Sequence, residues 1–234
     1  MGRIIQREKS VIPACDVFSL RVHENLVRET ADIDAIGAYK VGFILGLGYG
    51  LPKVVGRTRL YTEKPIIYDG QKAGTDIPDT GKAFAKVMKN AGVNAIILFP
   101  QSGPETQRAW TESALEQGLG VIVGGLMTHP KYVRSQGGYI ADEAIMEMYF
   151  NAVEMGVTDF VVPGNKPDKI REIREALELN RISPTFYAPG FVAQGGSISD
   201  AARAAGNSWH GIVGRGLYEA ENIRNAALGL TSQL

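Results

Sequence analysis

Short apolar runs alternate with amphipathic segments along the whole chain, and this alternation is the strongest constraint on its fold. The runs are rich in Val and Ile and recur roughly every 27 residues, the spacing of a minimal strand–helix unit. They occupy residues 11–14, 35–43, 65–68, 95–99, 120–126, 159–162, 184–188 and 211–213. Most are continuously apolar, as strands buried on both faces are, and each is too short for a buried helix. We therefore predict a mostly parallel sheet.

The segments between the runs have helical periodicity. Residues 80–91 carry an apolar stripe opposite a row of lysines, and residues 168–179 set Ile and Leu against Arg and Glu. Glycines mark three of the expected helix ends, at Gly92, Gly118 and Gly156. The alternation of strands with helices predicts parallel strands that are joined by helices.

The number of units separates two folds with parallel sheets. Eight strand–helix units match a (β/α)8 barrel, whereas a doubly wound sheet usually has about five or six strands. No linker-like stretch interrupts the alternation. We predict one α/β domain over residues 1–234, a single (β/α)8 TIM barrel.

Composition excludes several classes of partner. The 234 residues include 25 basic and 25 acidic ones, so no general basic surface for nucleic acid is expected. No stretch approaches the roughly 18 apolar residues of a membrane span, so we expect no membrane partner. The only cysteine, Cys15, leaves no intramolecular disulfide, which fits a reducing compartment. We expect a cytoplasmic protein.

Polar side chains follow the ends of the predicted strands. In barrels of this kind the chemistry lies at the carboxyl ends of the strands. The residues found there include Asp16, Lys40, Asp69, Lys72, Thr128 and Arg215. This rim is the predicted site.

The last two units carry a pattern typical of phosphate binding. Pro189 and the run Gln194-Gly195-Gly196 follow the seventh strand, and Gly214-Arg215 follows the eighth. Adjacent glycines let backbone N–H groups approach an anion, and arginine adds a bidentate donor. The alternative interpretation is a plain tight turn beside a surface charge. We favour a phosphate site.

Two carboxylates flank one lysine directly after the third strand, in the order Asp69, Lys72, Asp76. Lysine between carboxylates keeps its charge in a partly buried site and can deliver a proton. A fixed carboxylate beside a substrate carboxylate destabilises that ground state, and the repulsion is relieved as CO₂ leaves. The alternative is a solvated, salt-bridged turn.

These residues resemble the hallmarks of the orotidine 5′-phosphate decarboxylase family. The specific part is Asp69…Lys72…Asp76-Ile77-Pro78-x-Thr80, and the phosphate motifs resemble the family's as well. The likeness covers nearly the whole chain in the right order. The spacing is two residues longer than the family's Asp-x-Lys-x-x-Asp. We expect the backbone to bulge at Gly70 and Gly74, which would return Lys72 to the site.

The resemblance implies the last step of de novo pyrimidine nucleotide synthesis, the decarboxylation of orotidine 5′-monophosphate to uridine 5′-monophosphate without metal or cofactor. It makes Lys72 the proton donor and places Asp69 against the substrate carboxylate, holding Lys72. Asp76, with Ile77 and Thr80, would reach into the active site of a second subunit. The resemblance therefore implies a homodimer with shared active sites.

The resemblance also assigns the binding residues. Asp16 and Lys40 would bind ribose hydroxyls, and Thr128 would hydrogen-bond the pyrimidine. Pro189, Gln194, Gly195, Gly214 and Arg215 form the implied phosphate site, with residues 191–196 as a closing lid. Residues 131–138 form either a second mobile loop or a plain connection.

Two other functions remain open at this point. One is a related phosphosugar enzyme, of the hexulose-phosphate synthase or keto-acid phosphate decarboxylase type, which generally uses a metal. The other is a barrel that binds a phosphorylated ligand without turnover. The three histidines, His23, His129 and His210, are too scattered in sequence for a metal set. We expect no cofactor.

Overall fold

Eight parallel strands form the centre of the molecule in a computed structural model, which describes residues 2–70, 75–191 and 197–234. The strands are β1 (Lys9–Pro13), β2 (Tyr39–Val41), β3 (Ile66–Asp69), β4 (Ala95–Leu98), β5 (Gly120–Gly124), β6 (Asp159–Val161), β7 (Thr185–Pro189) and β8 (Trp209–Val213). They pair in the order β1-β8-β7-β6-β5-β4-β3-β2.

The first and second strands meet and close this sheet. Ala14, just beyond β1, bridges Lys40 of β2 in parallel register. The Cys15 N–H also donates to the Lys40 carbonyl at 2.8 Å. The result is a barrel with alternating outer helices, which confirms the predicted (β/α)8 fold.

Helices cover the outside of the barrel. Within the described residues they are α1 (Leu20–Thr30), α2 (Phe43–Tyr49), α3 (Leu51–Arg59), α4 (Thr80–Asn90), α5 (Pro104–Glu116), α6 (Ala144–Glu154), α7 (Pro167–Leu179), α8 (Ile198–Ala205), α9 (Arg215–Tyr218) and α10 (Ile223–Thr231), with a short 3₁₀ turn at Arg134–Gln136. Gly92, Gly118 and Gly156 follow α4, α5 and α6 with φ of +84°, +69° and +79°, as expected of helix-ending glycines. None of the described helices is long and apolar enough to cross a membrane.

The second unit differs from its prediction. Residues 35–43 were expected to form one strand, but only Tyr39–Val41 does, and Phe43 already begins α2. Periodicity alone cannot separate a short buried strand from the first turn of a buried helix. Gly50, with φ of +82°, then separates α2 from α3. Two short helices therefore replace the single one expected.

The barrel has an inner core and an outer core. The outer core lies between strands and helices, while the inner one contains Ile12, Ile67, Ile122 and Tyr187. Phe99, just beyond β4, also points inward, and its ring occupies the space beside Gly124. A Cβ on that glycine would lie 2.2 Å from the ring.

Polar groups are buried at the amino end of the barrel. Ser10 Oγ lies 2.8 Å from His210 Nδ1, and the Tyr187 hydroxyl donates to Asp159 Oδ1 at 2.9 Å. Burial lowers the pKa of His210 to about 3 and raises the pKa of Asp159 above its ordinary value. Ile5, from the segment before β1, is buried against the inner core. The strand starts are thus closed off by paired polar groups and by the amino-terminal segment.

Candidate active site

A cavity of about 340 Å³ opens at the carboxyl ends of the strands. The predicted site residues that line it are Asp16, Lys40, Thr128, Pro189, Gly214 and Arg215. Its apolar floor is formed by inner-core side chains, among them Ile97, Phe99 and Ile212. A concave, mostly apolar site with a few convergent polar groups suits a small organic ligand.

A larger cavity, of about 540 Å³, lies at the amino end among Arg3, Glu8, Asp159 and Glu178. It contains none of the residues predicted from the strand ends. Because barrel chemistry collects at the carboxyl end, we take the smaller cavity as the active site.

An ion cluster lies at this cavity: Asp16 and Lys40 line it, and the buried Asp69 pairs with Lys40. The Lys40 ammonium lies 2.5 Å from Asp69 Oδ2 and 3.2 Å from Asp16 Oδ2, and Lys40 and Asp69 are only 4% and 1% exposed. Burial alone would lower the pKa of Lys40. The two carboxylates outweigh burial and raise that pKa above its ordinary value. The ammonium therefore stays charged and holds both carboxylates in place.

Strand register brings these three residues together. Asp69 ends β3, Lys40 is the middle residue of β2, and Asp16 lies beyond β1, so three neighbouring strands each contribute one group. Gly42 leaves room for the cluster, because a Cβ there would lie 3.2 Å from Asp16 Oδ1 and 3.8 Å from Asp69 Cβ. Sequence patterns placed each residue on the rim, and barrel closure brings them into contact.

The chain turns immediately after Asp69. The Gly70 N–H donates to the Tyr68 carbonyl at 3.1 Å, and a Cβ on Gly70 would lie 2.6 Å from the Ile97 carbonyl oxygen. Only glycine fits this approach of two backbones. The predicted proton donor Lys72 and the second hinge Gly74 lie outside the described residues, so the return of Lys72 to the site stays a prediction.

The far end of the motif is not part of the cavity lining. Of the described motif residues, none of Asp69, Asp76 and Thr80 is among those that line the cavity. Asp76 Oδ1 accepts from the Ile77 N–H at 2.7 Å, and Ile77 is 59% exposed. Asp69 is connected to the cavity through Lys40, which lines it.

The predicted phosphate site is partly described. Gly214 and Arg215 line the cavity at the start of α9, and Pro189 and Gly190 line it from the end of β7. Phe191, the first residue of the predicted lid, is buried and contacts Trp209 with ring centroids 6.0 Å apart. Gln194, Gly195 and the remainder of the lid to residue 196 lie outside the described residues.

The loop after β5 is anchored beside the cavity. Lys166 donates to the Met127 carbonyl at 2.9 Å, and Asn165 donates to that of Thr128 at 3.4 Å. The 131–138 segment contains the 3₁₀ turn, and the Ser135 N–H donates to Asp142 Oδ2 at 2.9 Å. The Lys166 and Asn165 contacts hold Thr128 at the rim.

Sequence reasoning missed Tyr218, which also lines the cavity. It lies three residues after Arg215 in a helical turn, and that spacing places two side chains on one face. This spacing was the one sequence signal that could have indicated Tyr218.

Among the described residues, no group of three or more His, Cys, Asp or Glu side chains is arranged to hold a metal ion.

Comparison with known proteins agrees with this geometry. The family model described as orotidine 5′-phosphate decarboxylase / HUMPS family matches residues 9–230. Orotidine 5′-phosphate decarboxylase of Methanosarcina mazei is 34% identical over 237 residues, covering 98% of this chain and 97% of that protein. The Methanococcoides burtonii protein of the same name is 33% identical over 233 residues, covering 98% of this chain and 99% of its own.

Solved structures give the same picture. The orotidine 5′-monophosphate decarboxylase of Methanocaldococcus jannaschii complexed with inhibitor BMP superposes with a TM-score of 0.84 at 25% identity, covering 97% of this chain and 99% of that one. The orotidine 5′-phosphate decarboxylase of Pyrococcus horikoshii OT3 superposes with a TM-score of 0.77 at 28% identity, covering 95% of this chain and 98% of that one.

Proposed function

The chain belongs to the orotidine 5′-phosphate decarboxylase / HUMPS family, and we propose that it converts orotidine 5′-monophosphate to uridine 5′-monophosphate and CO₂. The observation that carries this proposal is the Asp16–Lys40–Asp69 cluster, in which Asp16 and Lys40 line the carboxyl-end cavity and Lys40 holds the buried Asp69. This reaction completes pyrimidine nucleotide synthesis. A cytoplasmic setting is part of the proposal and fits the single thiol.

In this mechanism the cluster fixes a negative charge where the substrate loses one. Asp69 is held by Lys40 at 2.5 Å and cannot easily withdraw, so a substrate carboxylate placed beside it is repelled. The C–C bond breaks, CO₂ leaves, and the bonding electron pair stays on the pyrimidine carbon. Repulsion is relieved along this path, which lowers the barrier from the bound ground state.

Lys72 then completes the reaction. Its ammonium protonates the carbanionic carbon, which gives the product, and the neutral amine regains a proton from solvent. Position in sequence supports this role, since Lys72 follows the turn at Gly70 that ends the strand carrying Asp69. A proton donor must lie within hydrogen-bond distance of the atom that it protonates.

Binding of the remote phosphate positions the reacting ring. We assign the phosphate to Gly214 and Arg215 with Pro189, Gln194 and Gly195, the ribose to Asp16 and Lys40, and the pyrimidine to Thr128 above the apolar floor. Binding energy from a group that does not react can organise the reacting end and so raise the rate.

The decisive experiment follows the fall in pyrimidine absorbance with purified protein. We expect turnover of orotidine 5′-monophosphate by the wild type, none by Lys72→Ala, and wild-type turnover by Lys86→Ala on the exposed face of α4. Undiminished activity of Lys72→Ala would refute the mechanism. Metal-dependent turnover of a ribulose or gulonate phosphate, with no action on orotidylate, would instead favour a phosphosugar enzyme.

A homodimer is the second part of the proposal. Asp76 and Thr80 do not line their own cavity. Apolar side chains are exposed at the carboxyl end at Phe18, Leu47 and Ile77, which are 83%, 81% and 59% exposed. Exposed apolar side chains of this size fit a protein interface. A second copy of the chain would bury them and receive Asp76.

Mixing an inactive Lys72→Ala subunit with a severely impaired Asp76→Asn subunit tests the shared site. In a dimer with Asp76 supplied by the partner, Lys72→Ala and Asp76→Asn subunits together rebuild one complete site per mixed dimer. We expect about one quarter of wild-type activity after statistical mixing and a dimer by light scattering. A monomer at micromolar concentration, or no recovered activity, would contradict the homodimer.

A further inference from the structure

Two side chains of α5 hold the backbone of the segment that carries Asp76. Thr106 Oγ1 donates to the Asp76 carbonyl at 2.9 Å, and Trp110 Nε1 donates to the Ile77 carbonyl at 3.0 Å. Both donors belong to buried residues. A buried donor that loses its acceptor carries a desolvation penalty, so these contacts strongly favour one position of the segment.

The Trp110 ring also links this segment to the strand that ends in Asp69. Its centroid lies 4.7 Å from that of Phe84, which in turn lies 6.1 Å from that of Tyr68. A Cβ on Gly81 would lie 2.8 Å from Trp110 Cδ1, so the ring fits closely against the first turn of α4. The indole therefore packs against α4 and, through Phe84, against the strand end.

A third contact holds the segment from the barrel side. Thr75 Oγ1 donates to the Phe99 carbonyl at 3.1 Å. Residues 75–77 are thus fixed through one hydroxyl and two carbonyls, while the side chains of Asp76 and Ile77 remain exposed. Such an arrangement sets the position of a carboxylate without covering it.

We propose that Thr106 and Trp110 are positioning residues for Asp76, which they place through hydrogen bonds to its backbone and to that of Ile77. The inference rests on the proposed function, in which Asp76 completes an active site. A displaced carboxylate weakens catalysis although no binding group has been lost, because catalytic groups act only in a narrow geometry.

Conservative variants remove one donor each. Thr106→Val deletes the hydroxyl at nearly constant volume, and Trp110→Phe keeps an aromatic ring against Phe84 without its N–H. Thr111→Val is the matched control, since Thr111 Oγ1 is buried on the same helix and has no hydrogen-bond partner among the described residues. Thr106→Ser restores a donor and serves as the rescue.

We expect kcat to fall roughly fivefold to tenfold in Thr106→Val and in Trp110→Phe, the size of one lost hydrogen bond. KM stays near the wild-type value because the phosphate and ribose contacts are intact. Thr111→Val and Thr106→Ser keep wild-type kcat. Equal loss of kcat in Thr106→Val and the Thr111→Val control would overturn the inference in favour of a general packing effect.

A double-mutant cycle with Asp76→Asn separates positioning from stability. If Thr106 acts through Asp76, Thr106→Val has no further effect on kcat in the Asp76→Asn background. Multiplicative losses would reject the positioning role while leaving the proposed function intact. Wild-type activity of Asp76→Asn alone would instead reject the role of Asp76 in the proposed function.

Discussion

The two ends of the barrel bury polar groups in different ways. At the carboxyl end, the Lys40 ammonium is buried as a charge between Asp69 and Asp16. At the amino end, Ser10 pairs with a His210 ring whose lowered pKa of about 3 keeps it neutral at pH 7. Tyr187 there is an uncharged donor, and burial raises its pKa well above the ordinary value. Buried charge is concentrated at the carboxyl end, where we propose that the reaction takes place, and mostly neutral pairs close the opposite end.

This contrast predicts that carboxyl-end substitutions reduce activity and stability together, whereas amino-end substitutions reduce stability alone. Buried ion pairs contribute little net stability but are costly to break from one side. A broken neutral hydrogen bond costs less.

The largest effect is expected for Lys40→Met. Removal of the ammonium leaves two carboxylates facing each other in a buried site, so we expect a loss of about 3–5 kcal/mol in the free energy of unfolding. Turnover falls by roughly a hundredfold or more, because Asp69 loses its fixed position. Urea denaturation and absorbance assays measure the two effects.

An exposed ion pair supplies the control for Lys40. Lys169 lies 2.6 Å from Glu172 on the outer face of α7, and such pairs contribute little. Lys169→Met should match the wild type in both assays. A stable and active Lys40→Met protein would show that the cluster is dispensable.

Tyr187→Phe tests the amino end. The substitution removes the donor to Asp159, a half-buried carboxylate, and we expect a loss of about 1–3 kcal/mol in the free energy of unfolding. kcat and KM should stay at wild-type values, since the hydroxyl is at the opposite end of the barrel from the active site. Tyr139→Phe, at an exposed position, is the control. A fall in kcat for Tyr187→Phe would break the proposed separation between the ends.

The pH dependence of unfolding should reveal the buried neutral histidines. Burial lowers the pKa of His23 to about 4 and that of His210 to about 3, while the unfolded chain titrates near the ordinary value of about 6.5. Below that pH the unfolded state binds more protons than the folded state. The contribution of the two neutral histidines to the free energy of unfolding is therefore complete above about pH 6.5 and decreases as the pH falls. The slope is at most about 1.4 kcal/mol per pH unit for each histidine.

Substitution identifies the contribution of each histidine. His210→Gln should flatten the stability curve between about pH 6.5 and pH 3, and His23→Gln between about pH 6.5 and pH 4, as measured by urea midpoints. Asp159 works in the opposite direction, because its pKa is raised by burial and its protonation favours the folded state. Unchanged slopes in both histidine variants would contradict the neutral assignment.

The smallest effect concerns Cys15, beside the ion cluster. The thiol is buried, and burial together with the Asp16 charge raises its pKa above the ordinary value. Because the thiolate is the reactive form, we expect no reaction with a disulfide reagent while the protein is folded. Reaction should follow global unfolding in urea, and fast modification of the folded protein would show that the region around the cluster opens.

Much of the fold was predictable from sequence because each unit repeats one local pattern. Continuous apolar runs and helix-ending glycines located the strands and several helix ends. The boundary at Phe43 was wrong, since an apolar run does not distinguish a strand from a helix start. Patterns of neighbouring residues predict strands and helix ends because these elements depend mainly on residues close in sequence.

The site was less predictable because its contacts join distant residues. Strand-end position identified Asp16, Lys40 and Asp69, but only barrel closure brings them within ion-pair distance. The Thr106 and Trp110 contacts cross 30 and 33 residues of sequence, and no spacing rule indicates them. The amino-end pairs, Ser10 with His210 and Tyr187 with Asp159, were not predicted. Their polar residues lie within or beside apolar runs, and the runs were interpreted only as strands.

The close fit of the Phe99 ring beside Gly124 restricts which substitutions position 124 can accept. A methyl group at position 124 would lie 2.2 Å from the ring, so the ring must shift before position 124 can carry a side chain. Phe99 also forms part of the cavity floor, so a smaller residue there would deepen the pocket. A side chain at position 124 is therefore coupled to the shape of the cavity, because the ring that must make room for it also lines the cavity.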